Sequence, residues 1–279
     1  MNRKAEIRHL LSLSPEQIKA HAGKHLVVLP NIDQLHRRMA DDIADEIKAH
    51  QDGNPLRLIL PVGPTGQYPY LVERIVEEQL SLAGCWFYFM DEYCDEAGNA
   101  IPASHPLSFR GIAHDLFLGQ LPESCNLRSE RVIFPDENTV DSLSQTINAQ
   151  GGIDTCYGGI GIHGHVAFNE PEAGISQLPT RKVRLNDFTV TINAIRANVG
   201  GNIENFPRYA FTLGLKDILD ARRIRLYCRN GIALDWANTI LRLALLGEPG
   251  DDYPVTHIRD KDYVIVTDED TLRSPTHFL

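Results

Sequence analysis

The sequence has no apolar run long enough to cross a membrane. No stretch approaches the roughly 18 consecutive apolar residues that mark a transmembrane helix. The first 17 residues are polar and charged and lack the apolar segment of a secretory signal peptide. We therefore expect a protein without a membrane partner.

Cysteine is sparse and scattered. The five cysteines are odd in number and contain neither a CxxC pair nor another spacing typical of zinc sites. Reduced thiols in the cytoplasm are the simplest interpretation. We expect a cytoplasmic protein without a structural metal.

Positive charge is also scarce. The chain has 27 Lys and Arg residues against 37 Asp and Glu residues, which gives a formal net charge of −10. Non-specific nucleic-acid binding depends on dense Lys and Arg, so nucleic acid is not expected as a partner. A small anionic ligand stays compatible with the sequence, because the local field of a pocket can oppose the net charge.

What the sequence does contain is an alternation of short apolar runs and amphipathic segments. Apolar runs at 26–30, 56–60 and 85–90 are typical of buried strands. After the first run, a spacing of four residues predicts a helix through Leu35, Met39, Ile43 and Ile47. Such a pattern predicts an α/β fold with a single doubly wound, mostly parallel sheet over residues 26–279. Residues 1–25 are predicted as a helical extension.

Ligands bind such sheets beyond the carboxyl ends of the strands. The first segment there, residues 61–66, reads Pro-Val-Gly-Pro-Thr-Gly. Its backbone N–H groups and hydroxyl can bind an anion, which makes Gly63, Pro64 and Thr65 candidate binding residues. No Gly-Lys-Ser/Thr follows, so it is not a Walker A loop, and a plain strand-to-helix turn is the alternative.

The second segment, Asp91-Glu92-Tyr93, directly follows an apolar strand. A carboxylate at a buried strand end suits general-base catalysis, because partial burial raises its pKa. A solvated strand end or a helix cap is the alternative interpretation.

The third segment is rich in glycine and carries two histidines. Its glycine spacing over 159–164 matches a dinucleotide fingerprint, but Pro171 follows too soon for the helix that this fingerprint opens. The glycines are better explained by close approach of the backbone to a ligand. His163 and His165 could form a metal pair, but a hydrogen-bonded acid–base cluster of His165 with Glu170 is the stronger interpretation. Either histidine can instead be a satisfied polar group in a tight loop.

Five motifs occur in one order along the chain: Leu60-Pro61-x-Gly63-x-Thr65, Phe89-Met90-Asp91-Glu92-Tyr93, His105-Pro106-x-Ser108-Phe109, Gly159-Ile160-Gly161-x-x-Gly164-His165-x-Ala167-Phe168-Asn169-Glu170-Pro171 and Pro207-Arg208-Tyr209-Ala210-x-Thr212-Leu213-Gly214. Together they resemble the glucosamine-6-phosphate deaminase family, in the superfamily that also contains the 6-phosphogluconolactonases. The Ala-Phe-Asn-Glu-Pro ending of the fourth motif favours the deaminase branch.

The resemblance implies ring opening of an amino-sugar phosphate, proton transfer between C2 and C1, and release of ammonia, without a metal or organic cofactor. It places Asp91 at the position of the proton-transferring carboxylate. It places His165 at the ring-opening position, with Glu170 to orient it. Glu92 and Gly164 are expected beside the sugar or sugar phosphate, and a homo-oligomer is one option for the assembly.

Four positions depart from the family pattern. Pro64 stands where the family has the second glycine of the phosphate loop. His163 stands where deaminases usually carry Asp, and a cation there would lower the pKa of His165. Val190 and Asn230 stand where the family places an arginine and a lysine for the phosphate. We expect Arg229 to supply the missing cation, although arginine and lysine differ in geometry.

These departures leave three functions open. The first is an enzyme that isomerises a sugar phosphate or related sugar, with or without deamination. The alternative is a sugar-binding protein without activity, because a fold does not fix a function. A lactone hydrolase is the third and weakest candidate.

Overall fold

Strands are present where the sequence has its apolar runs at 26–30, 56–60 and 85–90. The computed structural model describes residues 2–51, 54–232 and 234–277. The strands are β1 (Leu26–Leu29), β2 (Leu56–Leu60), β3 (Cys85–Phe89), β4 (Asp91–Cys94), β5 (Val132–Ile133), β6 (Thr155–Gly159), β7 (Arg181–Arg184), β8 (Tyr209–Thr212), β9 (Arg223–Cys228) and β10 (Tyr263–Asp268). The helices are α1 (Arg3–Ser12), α2 (Pro15–Ala22), α3 (Ile32–Ala49), α4 (Tyr68–Glu77), α5 (Phe109–Leu116), α6 (Leu143–Ala149), α7 (Asp187–Arg196), α8 (Leu215–Leu219), α9 (Trp236–Leu246) and α10 (Glu269–Leu272).

Seven strands form one parallel sheet. Their order is β1-β10-β9-β6-β2-β3-β5, and every pairing is parallel. The two central strands are β2 and β6. On the β2 side follow β3 and β5, and on the β6 side follow β9, β10 and β1. A crevice opens where the order of the strands reverses in this way, and ligands bind there. The predicted α/β fold with a mostly parallel sheet is confirmed.

A second sheet of three antiparallel strands is not predicted by the sequence pattern. Its order is β4-β8-β7, and Asp91 lies opposite Thr212. Met90 joins the two sheets, because its N–H donates to Leu60 O at 3.1 Å and its carbonyl O accepts from Leu213 N–H at 2.7 Å. No turn residue stands at Met90, so the change of strand partner leaves no local signal in the sequence.

Helix α3 shows how the helices are held against the sheet. The Asn31 side chain accepts from Gln34 N–H at 3.0 Å and so satisfies a backbone donor that has no partner inside the helix. The predicted apolar positions are all fully buried: Leu35, Met39, Ile43 and Ile47. Among the helices of the described ranges, none has the length and apolar character needed to span a membrane.

The predicted N-terminal extension forms α1 and α2, which pack against α9. Leu10, Ile18 and Ala22 are buried in the core on this side of the sheet. The Arg3 guanidinium donates to the Asp252 carboxylate at 2.8 Å. Apolar and polar contacts therefore fasten the extension to the C-terminal part of the chain.

Candidate active site

A cavity of about 500 Å³ opens at the carboxyl ends of the parallel strands. The first predicted segment contributes Gly63, Pro64 and Thr65 to its wall, the second contributes Asp91, and the third contributes His165. Parallel strands end at one edge of a sheet, so segments far apart in sequence meet there. The three segments selected from the sequence therefore lie in the wall of one cavity.

Two glycines allow the walls of the cavity to lie close together. A Cβ atom at position 159 would lie 2.5 Å from the Gly63 carbonyl O, and one at position 161 would lie 1.9 Å from Nε2 of His165. A larger residue at either position would displace the loop or the imidazole, because only glycine leaves this space. The glycines therefore make room for the protein's own segments, whereas the sequence suggested room for a ligand.

Asp91 is a buried carboxyl group in the wall of the cavity. Its side chain is 7% exposed, and no hydrogen bond reaches its carboxylate from the described residues. Burial raises the pKa of Asp91 well above its usual value, and the neighbouring charge of Glu92 raises it further. A carboxylate without protein partners is available to a substrate, and a raised pKa makes it a stronger base.

His165 lies in the cavity wall as a neutral imidazole. It is 8% exposed, and its Nδ1 has no hydrogen-bond partner among the described residues. Burial lowers the pKa of His165 to about 3, with further contributions from the charges of His163 and Arg196. The direction agrees with the expectation for His163, but burial is the larger cause.

The expected hydrogen bond between Glu170 and His165 is not formed. One carboxylate oxygen of Glu170 accepts from Asn186 N–H at 2.8 Å, and the other has no partner in the part of the chain described. Asn186 is the N-cap of α7, and the start of a helix attracts a carboxylate. Glu170 therefore binds the beginning of α7 and does not line the cavity.

His163 also lies outside the cavity wall. Its backbone has a left-handed φ of 62°, and its ring packs edge-on against Phe188 of α7 with ring centroids 5.2 Å apart. Because only His165 of the two histidines faces the cavity, they do not form the metal pair considered from the sequence. Within the described ranges there is no cluster of three or more His, Cys, Asp or Glu side chains that could hold a metal.

Gly164 was expected beside the substrate but packs against the protein. A Cβ atom at this position would lie 2.9 Å from Cγ1 of Val255. Gly164 does not line the cavity. Its lack of a side chain serves the packing of the loop on residues 254–258.

Glu92 was also expected beside the substrate, and this prediction is wrong. The side chain is fully buried outside the cavity. Its carboxylate accepts from the N–H groups of Tyr93, Phe109 and Arg110 and from the Ser108 hydroxyl, at 2.8 to 3.0 Å. Two of these N–H groups open α5, so the alternative interpretation as a helix cap is correct for Glu92.

We expect Glu92→Gln to lower the free energy of unfolding by about 2 kcal/mol, because an amide NH2 would face N–H donors that the carboxylate now satisfies. Urea denaturation measures the change. The matched control is Glu77→Gln, at an exposed position of α4, which should change stability by less than about 0.5 kcal/mol. Equal losses of stability in the two variants would contradict the role of Glu92 as a cap of α5.

Two arginines bring positive charge to the cavity. Arg229, the predicted cation, lines it together with Arg196 from the end of α7. Burial lowers the pKa of both guanidinium groups, and the charge of Arg229 lowers that of Arg196 further. Two cations in the wall of one cavity suit a ligand with two negative charges, such as a phosphate group.

Sequence reasoning missed Arg196. The family arginine aligns with Val190, which is fully buried in the core, whereas Arg196 lies later on the same helix and reaches the cavity. Asn230, at the position of the family lysine, is buried beside Arg229 and donates to the Asp270 carboxylate at 3.2 Å. A search for arginine along the whole helix, instead of at one aligned position, would have found Arg196.

Several curated proteins with similar sequences are glucosamine-6-phosphate deaminases, although no family model matches the chain. A glucosamine-6-phosphate deaminase from Porphyromonas gingivalis is 32% identical over 256 residues, which cover 88% of this chain and 91% of that protein. The chain belongs to the glucosamine-6-phosphate deaminase family. A family member from Caenorhabditis elegans is 31% identical over 208 residues, which cover 71% of this chain and 73% of that protein. The chain is thus an enzyme of the deaminase kind.

Solved structures agree with this family membership in their fold. A monomeric glucosamine-6-phosphate deaminase superposes with a TM-score of 0.75 at 24% identity, covering 88% of this chain and 98% of that chain. A 6-phosphogluconolactonase from Trypanosoma cruzi superposes with a TM-score of 0.64 at 16% identity, covering 90% and 97%. The fold of the family therefore extends to the lactonases, as the sequence motifs imply.

Proposed function

We propose that the enzyme converts an amino-sugar phosphate, glucosamine-6-phosphate in the first place, into the corresponding ketose phosphate and ammonia. The observation that carries this proposal is the meeting of Asp91, His165, Arg196 and Arg229 in one cavity. A base, a neutral imidazole and a pair of cations are the groups that this reaction needs. The names of the curated relatives support the same reaction.

Substrate binding starts at the phosphate. Arg196 and Arg229 neutralise its charge, while the Thr65 hydroxyl and the backbone of loop 61–66 bind its oxygens. The sugar ring then opens at His165, whose neutral imidazole accepts the proton of the C1 hydroxyl and returns a proton to the ring oxygen. Ring opening gives an aldehyde at C1.

Proton transfer then proceeds through Asp91. Its carboxylate removes the proton from C2, which the aldehyde has made acidic, and the electron pair of that bond forms the C1=C2 double bond while O1 takes up a proton from solvent, which gives an enolamine. Asp91 then returns its proton to C1 as the nitrogen lone pair forms the C2=N bond, so that C1 becomes an alcohol and C2 a protonated imine. Water adds to the imine carbon and ammonia leaves, which yields the ketose phosphate.

The test is incubation with glucosamine-6-phosphate, in which ammonium and ketose phosphate are measured together. We expect equal amounts of the two products, and the same rate in excess chelator. The alternative function makes the opposite prediction, because a sugar-binding protein would gain thermal stability from the ligand without forming either product. Stabilisation without turnover would therefore refute the proposed enzyme.

We expect His163→Asp to raise the pKa of His165 above its present value of about 3, because an anion nearby favours the imidazolium form. Aspartate also tolerates the left-handed backbone at this position. Titration of the His165 ring by NMR measures the shift, and the deaminase assay measures any gain in rate. His163→Asn is the neutral control, and an equal shift in both variants would contradict the electrostatic explanation.

A further inference from the structure

Tyr93 and Asn193 form a polar pair in the wall of the cavity that the proposed mechanism leaves unused. Both residues line the cavity, and the Asn193 amide donates to the Tyr93 hydroxyl oxygen at 3.1 Å. The Tyr93 ring is fixed by aromatic neighbours, with centroids 4.8 Å from Phe109 and 5.5 Å from Phe168. The hydroxyl is therefore held in place by packing as well as by the hydrogen bond.

The pair has at least one donor and one acceptor to spare. The Tyr93 O–H reaches no acceptor, and the Asn193 side-chain carbonyl receives no donor, from the described residues. Turning the amide over exchanges the roles, since the hydroxyl then donates to the carbonyl and the NH2 group stays free. In either orientation the pair offers a donor beside an acceptor, which is the complement of an alcohol group.

The position of the pair indicates which alcohol it meets. Tyr93 is two residues from Asp91 on the same face of β4, a separation of about 7 Å along the strand. Asn193 is three residues from Arg196 on α7, where side chains at this spacing are neighbours. The pair is therefore a neighbour both of the proposed base Asp91 and of the cations proposed to bind the phosphate on C6.

We propose that Tyr93 and Asn193 bind the C4 hydroxyl of the substrate and so determine which epimer at C4 the enzyme prefers. The proposal rests on the proposed function, because that function fixes the two ends of the substrate. The C4 hydroxyl is the middle alcohol between those ends. A hydroxyl of the opposite configuration at C4 points away from the pair and leaves both polar groups unpaired, which is how a binding site rejects an analogue.

The test compares kcat/KM for glucosamine-6-phosphate, its C4 epimer galactosamine-6-phosphate and a 4-deoxy analogue. We expect Tyr93→Phe and Asn193→Ala each to lower kcat/KM for the preferred epimer by about 3- to 10-fold, the effect of one neutral hydrogen bond. The kcat/KM for the 4-deoxy analogue should change by less than about twofold in these variants, because the analogue makes no such bond. The ratio between the two epimers should fall accordingly.

Tyr209→Phe on β8, a tyrosine outside the cavity wall, is the matched control and should leave the epimer ratio unchanged. An equal loss on the preferred epimer and on the 4-deoxy analogue would overturn the proposal, since it would show a role in packing alone. An unchanged kcat/KM for the preferred epimer in both variants would overturn it too. So would a loss of kcat/KM that a 3-deoxy analogue, instead of the 4-deoxy analogue, escapes. A wild-type enzyme that releases no ammonium from any amino-sugar phosphate refutes the proposed function and the subsite together.

Discussion

Asp91→Asn is expected to lower kcat by about a thousandfold. The asparagine amide has nearly the shape of the carboxylate but cannot accept the C2 proton, and a positioned general base contributes about 10²- to 10⁴-fold to a rate. Steady-state measurement of ammonium release gives the ratio. Substrate binding should persist, because the phosphate contacts lie at other residues.

The matched control is Asp141→Asn, an exposed aspartate that should leave kcat unchanged. The pH profile supplies a second measurement. The wild-type kcat/KM should fall as the pH drops through the pKa of Asp91, and this acid limb should lie above the usual carboxyl range because burial raises that pKa. An Asp91→Asn enzyme with a tenth or more of the wild-type rate would rule out Asp91 as the base.

Removal of either cavity arginine is expected to have the second largest effect. We expect Arg196→Gln or Arg229→Gln to raise KM for the phosphorylated substrate by about 10- to 150-fold. A charge-assisted hydrogen bond contributes about 1.5 to 3 kcal/mol, and about 1.4 kcal/mol corresponds to a tenfold change. Glutamine keeps hydrogen-bonding capacity and removes only the charge, so the change in KM reports the cation.

The matched control is Arg184→Gln, an exposed arginine on β7 that lies outside the cavity wall. Glucosamine without a phosphate provides the substrate control, because its weak binding should be the same in all variants. The fold-increase in KM of the double variant should be smaller than the product of the two single fold-increases, since the two cations share one ligand. An equal rise in KM for glucosamine with and without the phosphate group would show that the arginines do not bind the phosphate.

The fold could be predicted because its signals are local. The spacing of Leu35 and Met39 on α3 and the apolar run of β3 each report their own element. The meeting of Asp91 with His165 follows from a general property of parallel sheets, since the carboxyl ends of the strands share one edge. These parts of the site needed no knowledge of side-chain direction.

The remaining parts depend on partners that are distant in sequence. Glu92 turns to the start of α5, and Glu170 turns to the start of α7, although both stand in motifs beside cavity residues. A motif records where a carboxylate occurs but not which N–H groups will reach it. Arg196 is the opposite case, because it lines the cavity although it belongs to no motif. Its position at the end of α7 brings it there.

The tight contact between position 159 and loop 61–66 also constrains how this family member can change over evolution. Gly159 ends the strand that leads to His165, whereas Gly63 belongs to the loop proposed to bind the phosphate, and the two backbones touch. A substitution that adapts either segment to a new sugar must therefore preserve the contact between Gly159 and loop 61–66. The segment proposed for catalysis and the loop proposed for anion binding can thus change only together, because they meet at a residue without a side chain.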